Sequence, residues 1–151
     1  MMRQPPPFSA ILGGTPDEVD AAFYEALQAG DIAKLMACWA DEEEIACIHP
    51  GGARSIGPAD IRSSFEALFA HGASIDARPQ CVSRWHSSHT AVHHLVESVN
   101  VMTSTGPGTA LVTTTHVFHR SAQGWRLVVH HASPGTPQDA RAPERAPQVL
   151  H

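Results

Sequence analysis

Eleven of the 151 residues are histidine, the side chain that exchanges protons near neutral pH and also binds transition metals. Their positions decide whether they can act together, because successive side chains on an extended strand alternate between its two faces. Across residues 113–118, His116 shares a face with Thr114 and Phe118, and Thr113, Thr115 and Val117 take the other. Across residues 125–132, His130 shares a face with Val128 and Ala132, opposite Trp125, Leu127, Val129 and His131. His130 and His131 therefore cannot serve one site. His49 sits directly before Pro50-Gly51-Gly52, where a strand must end. Glu97 stands among Leu95, Val96 and Val99, and a carboxylate buried in such company needs a histidine or hydroxyl partner. His94 lies three residues earlier, so only one of the pair can look inward. Each of these residues also has a plain structural role open to it: a core or interface histidine, a turn histidine bonded to local backbone, an edge-exposed glutamate.

Metal chemistry has stricter requirements. Two strand histidines share an ion when they are two apart or cross-strand neighbours, whereas His93-His94 and His130-His131 diverge and no H-x-H or H-E-x-x-H motif occurs. Cys38, Cys47 and Cys81 have no C-x-x-C spacing and read as buried thiols of a reducing cytoplasm. No metal site and no cofactor is assigned. The convergence that would make a site is that of His49, His116 and His130.

The elements that must position these groups follow from periodicity and stop signals. Thr15-Pro16-Asp17-Glu18 reads as an N-cap, a proline at the first helical position and acids in the first turn, ahead of apolar Val19, Ala22, Phe23, Ala26 and Leu27. Gly30 stops that helix, and Asp31 caps a short second one with Ile32, Leu35, Met36 and Trp39 on its apolar side. A short strand over residues 45–49 precedes a third helix opened by Pro58 and Asp60, with Ile61, Phe65, Leu68 and Phe69 on one side, ending near His71-Gly72. Four strand-like runs follow at 74–85, 90–102, 109–120 and 125–132, joined by short connections that include Thr105-Gly106-Pro107-Gly108. Helices followed by a meander make an α+β domain over residues 15–134. The Pro-rich stretches 1–14 and 135–151 are expected to be disordered tails. The later strands are apolar at both parities, so the sheet face away from the helices is expected to pair with a second copy in a homodimer.

A chain of this length carries one domain, and a formal net charge of −5 with ten scattered Lys and Arg provides no footprint for nucleic acid or an anionic membrane. No apolar run suits a signal sequence or a membrane span. A cytoplasmic protein with a small-molecule partner is expected.

The order helix, helix, short strand, helix, four strands resembles the nuclear transport factor 2-like (NTF2-like) superfamily of cystatin-like folds. The resemblance is carried by Ala29-Gly30-Asp31, by Cys47-Ile48-His49-Pro50-Gly51 with Gly57, by Thr115-His116-Val117-Phe118, and by Gly124-Trp125 running through His130-His131-Ala132-Ser133-Pro134. Within it the chain is similar to SnoaL-like proteins and to the association domain of calcium/calmodulin-dependent protein kinase type II. The resemblance implies a cone of three N-terminal helices packed on a strongly curved antiparallel sheet, with the faces of His116 and His130 turned inward. His116, His130 and His49 are then the candidates for proton transfer. Trp39, Phe65, Phe69, Thr114, Phe118 and one of His94 or Glu97 are candidates to line the pocket around a small, mostly apolar molecule. Isomerase, cyclase or hydro-lyase chemistry is the implied reaction class, although the Asp base of the isomerases is not identifiable. The kinase-type domain lines its pocket with arginines, and the matching positions here are Gly108, His116 and Ala132, so its ligand class does not carry over. The alternative is a non-catalytic oligomerisation or ligand-sensing module resembling that association domain.

Overall fold

A computed structural model describes residues 14–72 and 75–139. Helix α1 spans Pro16–Ala29, with the Thr15 side chain accepting from the Glu18 N–H and Gly30 closing it in the left-handed region at φ 66°. Helix α2, Ile32–Ala37, is capped by Asp31, and α3 spans Pro58–Gly72. The strands are β1 Ala46–Ile48, β2 Arg54–Ile56, β3 Ala77–His86, β4 Thr90–Thr103, β5 Gly106–Ser121 and β6 Gly124–Pro134. They form one sheet in the order β2-β1-β6-β5-β4-β3. Three helices packed on this sheet are the α+β cone of the NTF2-like, cystatin-like class. No described helix is long and apolar enough to cross a membrane.

Three features differ from the sequence expectation. Residues 54–56 add the strand β2, and β1 runs parallel to β6, so the sheet is mixed. The β4–β5 turn is tighter than the Thr105–Gly108 connection, since Thr103 pairs with Gly106 and only Ser104 and Thr105 lie between. Third, the β5–β6 register slips between Val117 and Phe118, pairing Val117 with Val129 but Phe118 with Leu127. The extra residue, Val128, forms a bulge and inverts the face parity of everything before it. Leu127 and Trp125, expected on the outer face, are therefore buried with the core.

The core lies between helices and sheet. Val19, Phe23 and Leu27 of α1, Leu35 of α2, and Ile61 and Phe65 of α3 close on Leu95, Phe118 and Leu127. Phe23 is the hub: its ring packs at 6.0 Å from Phe65, 5.0 Å from the His116 ring and 5.2 Å from that of His130. The apolar core and the histidines are thus one packing unit. Beyond β6, Gly135 N–H donates to the Leu111 carbonyl and Asp139 bonds Thr113 and Thr136, so residues 135–139 are held to the sheet rather than free. Residues 1–13 and 140–151, where the tails were expected, lie outside the described residues.

Candidate functional site

Sheet register lines up the chemistry. His93 pairs with His116, His116 with His130, and His130 with Cys47, so three histidines and a cysteine form one row across β4, β5, β6 and β1. All four are buried. Above the row stands α1, whose inward stripe Asp20, Phe23, Tyr24 and Leu27 follows the i, i+3, i+4, i+7 helical spacing.

Asp20 organises the row. Its Oδ1 lies 2.6 Å from His116 Nδ1, and its Oδ2 lies 2.5 Å from His93 Nδ1. The opposite nitrogen of His116, Nε2, is 2.8 Å from His130 Nδ1. Burial works to raise the Asp20 pKa, but the hydrogen bonds from His116 and His93, and their positive potential when charged, outweigh it and hold the carboxyl below its ordinary value of 3.8. Burial is also the main reason that His130 is pushed well below the ordinary imidazole value, followed by its neighbours His116, His49 and His131.

Neutral His130 fixes the proton order. A carboxylate can only accept, so the Nδ1–H of His116 points at Asp20. When His116 is neutral its Nε2 must accept, and the proton between the two rings sits on His130 Nδ1. His130 Nε2 is then left with a free lone pair, and it has no hydrogen-bond partner among the described residues.

His130 borders a cavity of about 330 Å³ with His49, Phe65, Leu68, Glu97 and Val112 among its walls. The remaining walls, from Leu27 and Ile75 to Val99, Val101, Ala110 and Ala132, are almost wholly apolar, and no lysine or arginine takes part. Glu97 enters from β4 with its Oε2 accepting from Tyr24 Oη at 2.6 Å and from Thr114 Oγ1 at 2.9 Å. Tyr24 is correspondingly held protonated: burial first, then the adjacent Glu97 charge, raises its pKa well above 10. His49, whose pKa burial lowers, meets Ser64 Oγ at 3.0 Å. The Ser64 hydroxyl donates to the Ile61 carbonyl, so it accepts from His49 Nε2–H.

Of the residues singled out by sequence, His49, His130, Phe65 and Glu97 line this cavity. His116 and Thr114 stand one layer behind, each bonded to a lining group. Phe118 faces the same way but is core, its ring 4.8 Å from that of His93. Three candidates fall elsewhere. His94 is on the exposed face beside Thr115, because Glu97 took the inward parity. Trp39 leaves α2 to bridge Leu127 and faces a separate surface pocket with Met36 and Arg62. Phe69 packs on Phe65 at 6.4 Å without lining the cavity. Asp20, Tyr24 and His93 were not among the sequence candidates. A signal existed for the first two: a carboxylate and the chain's single tyrosine lie on the apolar stripe of α1.

The shifts predict acid sensitivity. Unfolded, His130 and His49 bind protons near 6.5; folded, their lowered values keep them neutral, so the unfolded chain takes up more protons as pH falls below about 6.5. Thermal melts from pH 7.5 to 5 should show a steadily falling Tm. A Tm that is flat or rising over that range would contradict the neutral assignment.

Comparisons with known proteins agree with this architecture. The pattern of the SnoaL-like domain matches residues 17–137. No curated protein matches the chain. Among solved structures, a protein from Thiobacillus denitrificans named as a calcium/calmodulin-dependent protein kinase type II association domain is 30% identical, with a TM-score of 0.73 over 81% of this chain and 96% of its own. One from Streptomyces avermitilis, named as a dehydratase of the NTF2-like family, is 27% identical with a TM-score of 0.69 over 78% of this chain and 92% of its own. A ketosteroid isomerase-like protein from Erwinia carotovora shares the fold at 17% identity, with a TM-score of 0.66 over 80% of this chain and 94% of its own. The chain belongs to the SnoaL-like family of the NTF2-like superfamily.

Proposed function

We propose that this protein binds a small, mostly apolar molecule in the cavity and moves a proton on it, in the manner of an isomerase, cyclase or hydro-lyase. One observation carries the reading: the hydrogen-bonded chain Asp20–His116–His130 ends at an apolar cavity on a nitrogen with a free lone pair. A lone buried imidazole of lowered pKa is a weak proton acceptor, but this one need not keep the charge. As His130 Nε2 takes a proton from a carbon next to a carbonyl, its Nδ1 proton passes to His116 Nε2. The positive charge then rests on His116 against the Asp20 carboxylate, where it is best stabilised. The apolar walls offer few groups to compete for the transferred proton, and the Nε2–H formed on His130 is the group that returns it, since the one N–H of His49 is already given to Ser64.

The test uses 5-nitrobenzisoxazole, a flat apolar probe whose ring opens to a coloured cyanophenolate when a base removes the proton on C3 and the N–O bond breaks. The full chain should open it with saturation kinetics, faster than the same concentration of free imidazole, and the rate should hold below pH 6.5 because His130 remains neutral there. A rate no greater than that of free imidazole removes the proposal.

The second reading, an assembly module, is supported by the outer sheet face. Trp85, Val92, Val117 and Val129 fall in one register row there, and Trp85 is 58% exposed. A homodimer covering this row is compatible with a working cavity. Sedimentation should show a dimer at micromolar concentration that Val117→Lys converts to monomer; a monomeric wild type at that concentration overturns it.

A further inference from the structure

The end of the histidine row holds a second constellation, which overlaps the proton-transfer chain at His130 and adds a cysteine to it. Cys47, His49 and His130 bring one potential ligand atom each to within 4.8 Å of one another, and Cys47 Sγ stands 3.8 Å from His49 Nε2. We propose that these three side chains form a site for one divalent transition-metal ion of the zinc type, with its fourth position open to the cavity.

The geometry is near what such an ion requires. Zinc bonds of about 2.3 Å to sulfur and about 2.0 Å to nitrogen in a tetrahedron place neighbouring ligand atoms roughly 3.5 Å apart. Side-chain movements of about an ångström close the set. Two imidazoles and a thiolate suit zinc, cobalt, nickel or copper and exclude magnesium and calcium, which take oxygen ligands. Three protein ligands leave a vacancy, and since His49 and His130 both border the cavity, that vacancy opens towards it.

The surroundings provide an independent argument. A metal-binding histidine characteristically donates its other N–H to an acceptor that fixes the tautomer and raises basicity. His130 does so through His116 to Asp20, which leaves its lone pair on Nε2. His49 needs one adjustment: the Nε2 proton now given to Ser64 must move to Nδ1, for which no other partner is recorded among the described residues. Cys47 must lose its thiol proton, which burial holds tightly at a pKa of about 12. The ion displaces it, so binding releases a proton and strengthens as pH rises.

The site goes beyond the proton-transfer reading and shares His130 with it. An ion on Nε2 occupies the lone pair that the base would use, so the two functions are exclusive in one molecule. The experiment therefore reads the metal directly. Full-length protein stripped with a chelator is titrated with Co²⁺. One equivalent should bind, giving intense tetrahedral bands in the visible and a thiolate-to-cobalt charge-transfer band in the near ultraviolet, and an equivalent of Zn²⁺ should bleach both. Cys47→Ser should lose the charge-transfer band and bind at least ten-fold more weakly. His49→Ala should keep that band at ten-fold weaker affinity, which serves should the buried cysteine variant fail to fold. Cys81→Ser, on the distant strand β3, should match wild type. Weak pale octahedral spectra, or a charge-transfer band that survives Cys47→Ser, overturn the site. Opening of 5-nitrobenzisoxazole by the stripped protein, assayed separately, decides the proton-transfer reading whatever the cobalt result.

Discussion

His130→Gln is expected to lower kcat/KM for opening of 5-nitrobenzisoxazole by about 10²–10⁴-fold, the usual contribution of a positioned general base, with the loss in kcat and little change in KM. Glutamine approximates the volume of imidazole and can still donate to His116 Nε2, so the fold and the apolar walls stay in place while the lone pair of Nε2 is lost. The pH profile separates this from a merely structural role. In wild type the rate should fall only below the lowered titration of His130, whereas in the variant the residual rate should rise with hydroxide and show no such step. A variant within three-fold of wild type would show that the cavity accelerates the probe without this histidine. His116→Gln should fall between the two, since His130 keeps its lone pair but has no neighbour to take the charge.

Asp20→Ala should be the most destabilising single change at the site. The carboxylate accepts from two buried imidazoles, and a hydrogen bond to a charged group contributes about 1.5–3 kcal/mol. Losing both also strands two N–H donors in the core, so roughly 3–5 kcal/mol is expected, or about 10 °C or more in Tm. Its pH dependence has a fixed sign. The folded carboxyl titrates below 3.8, so its stabilisation is complete above that value and disappears as pH falls through the lower folded one. Denaturant unfolding at pH 7 and near pH 3 should show the gap between wild type and variant narrowing. A Tm within 2 °C of wild type at neutral pH would mean that Asp20 does not hold the row.

Much of the frame was readable in the sequence because it rests on local signals. Thr15-Pro16, Gly30, Asp31 and Pro58 mark helix ends through hydrogen bonds and dihedral preferences spanning a few residues, and strand alternation grouped His116 with Thr114 and Phe118, and His130 with Ala132. The same reasoning misassigned Trp125 and Leu127. Alternation assumes an unbroken ladder, and the bulge at Val128 depends on how β6 fits β5 and the core beneath it.

The site separates along the same line. Chain order and periodicity were sufficient for the α+β class and for grouping each histidine with its same-face neighbours, since these signals act within a strand or helix, while the inward turn of those faces and the cavity were what the resemblance to the NTF2-like superfamily implied. Which groups touch was decided by tertiary structure alone. Asp20 meets His116 across 96 positions and His93 across 73, and Tyr24 meets Glu97 across 73. Cys47 joins His130 through a parallel pairing that has no turn to announce it. Local propensity carries no information about such distances. Only the packing of α1 over the sheet, which buries Phe23 between Phe65 and the two imidazoles, sets one carboxylate at the head of the histidine row, because a buried charge is tolerated there only where donors already stand.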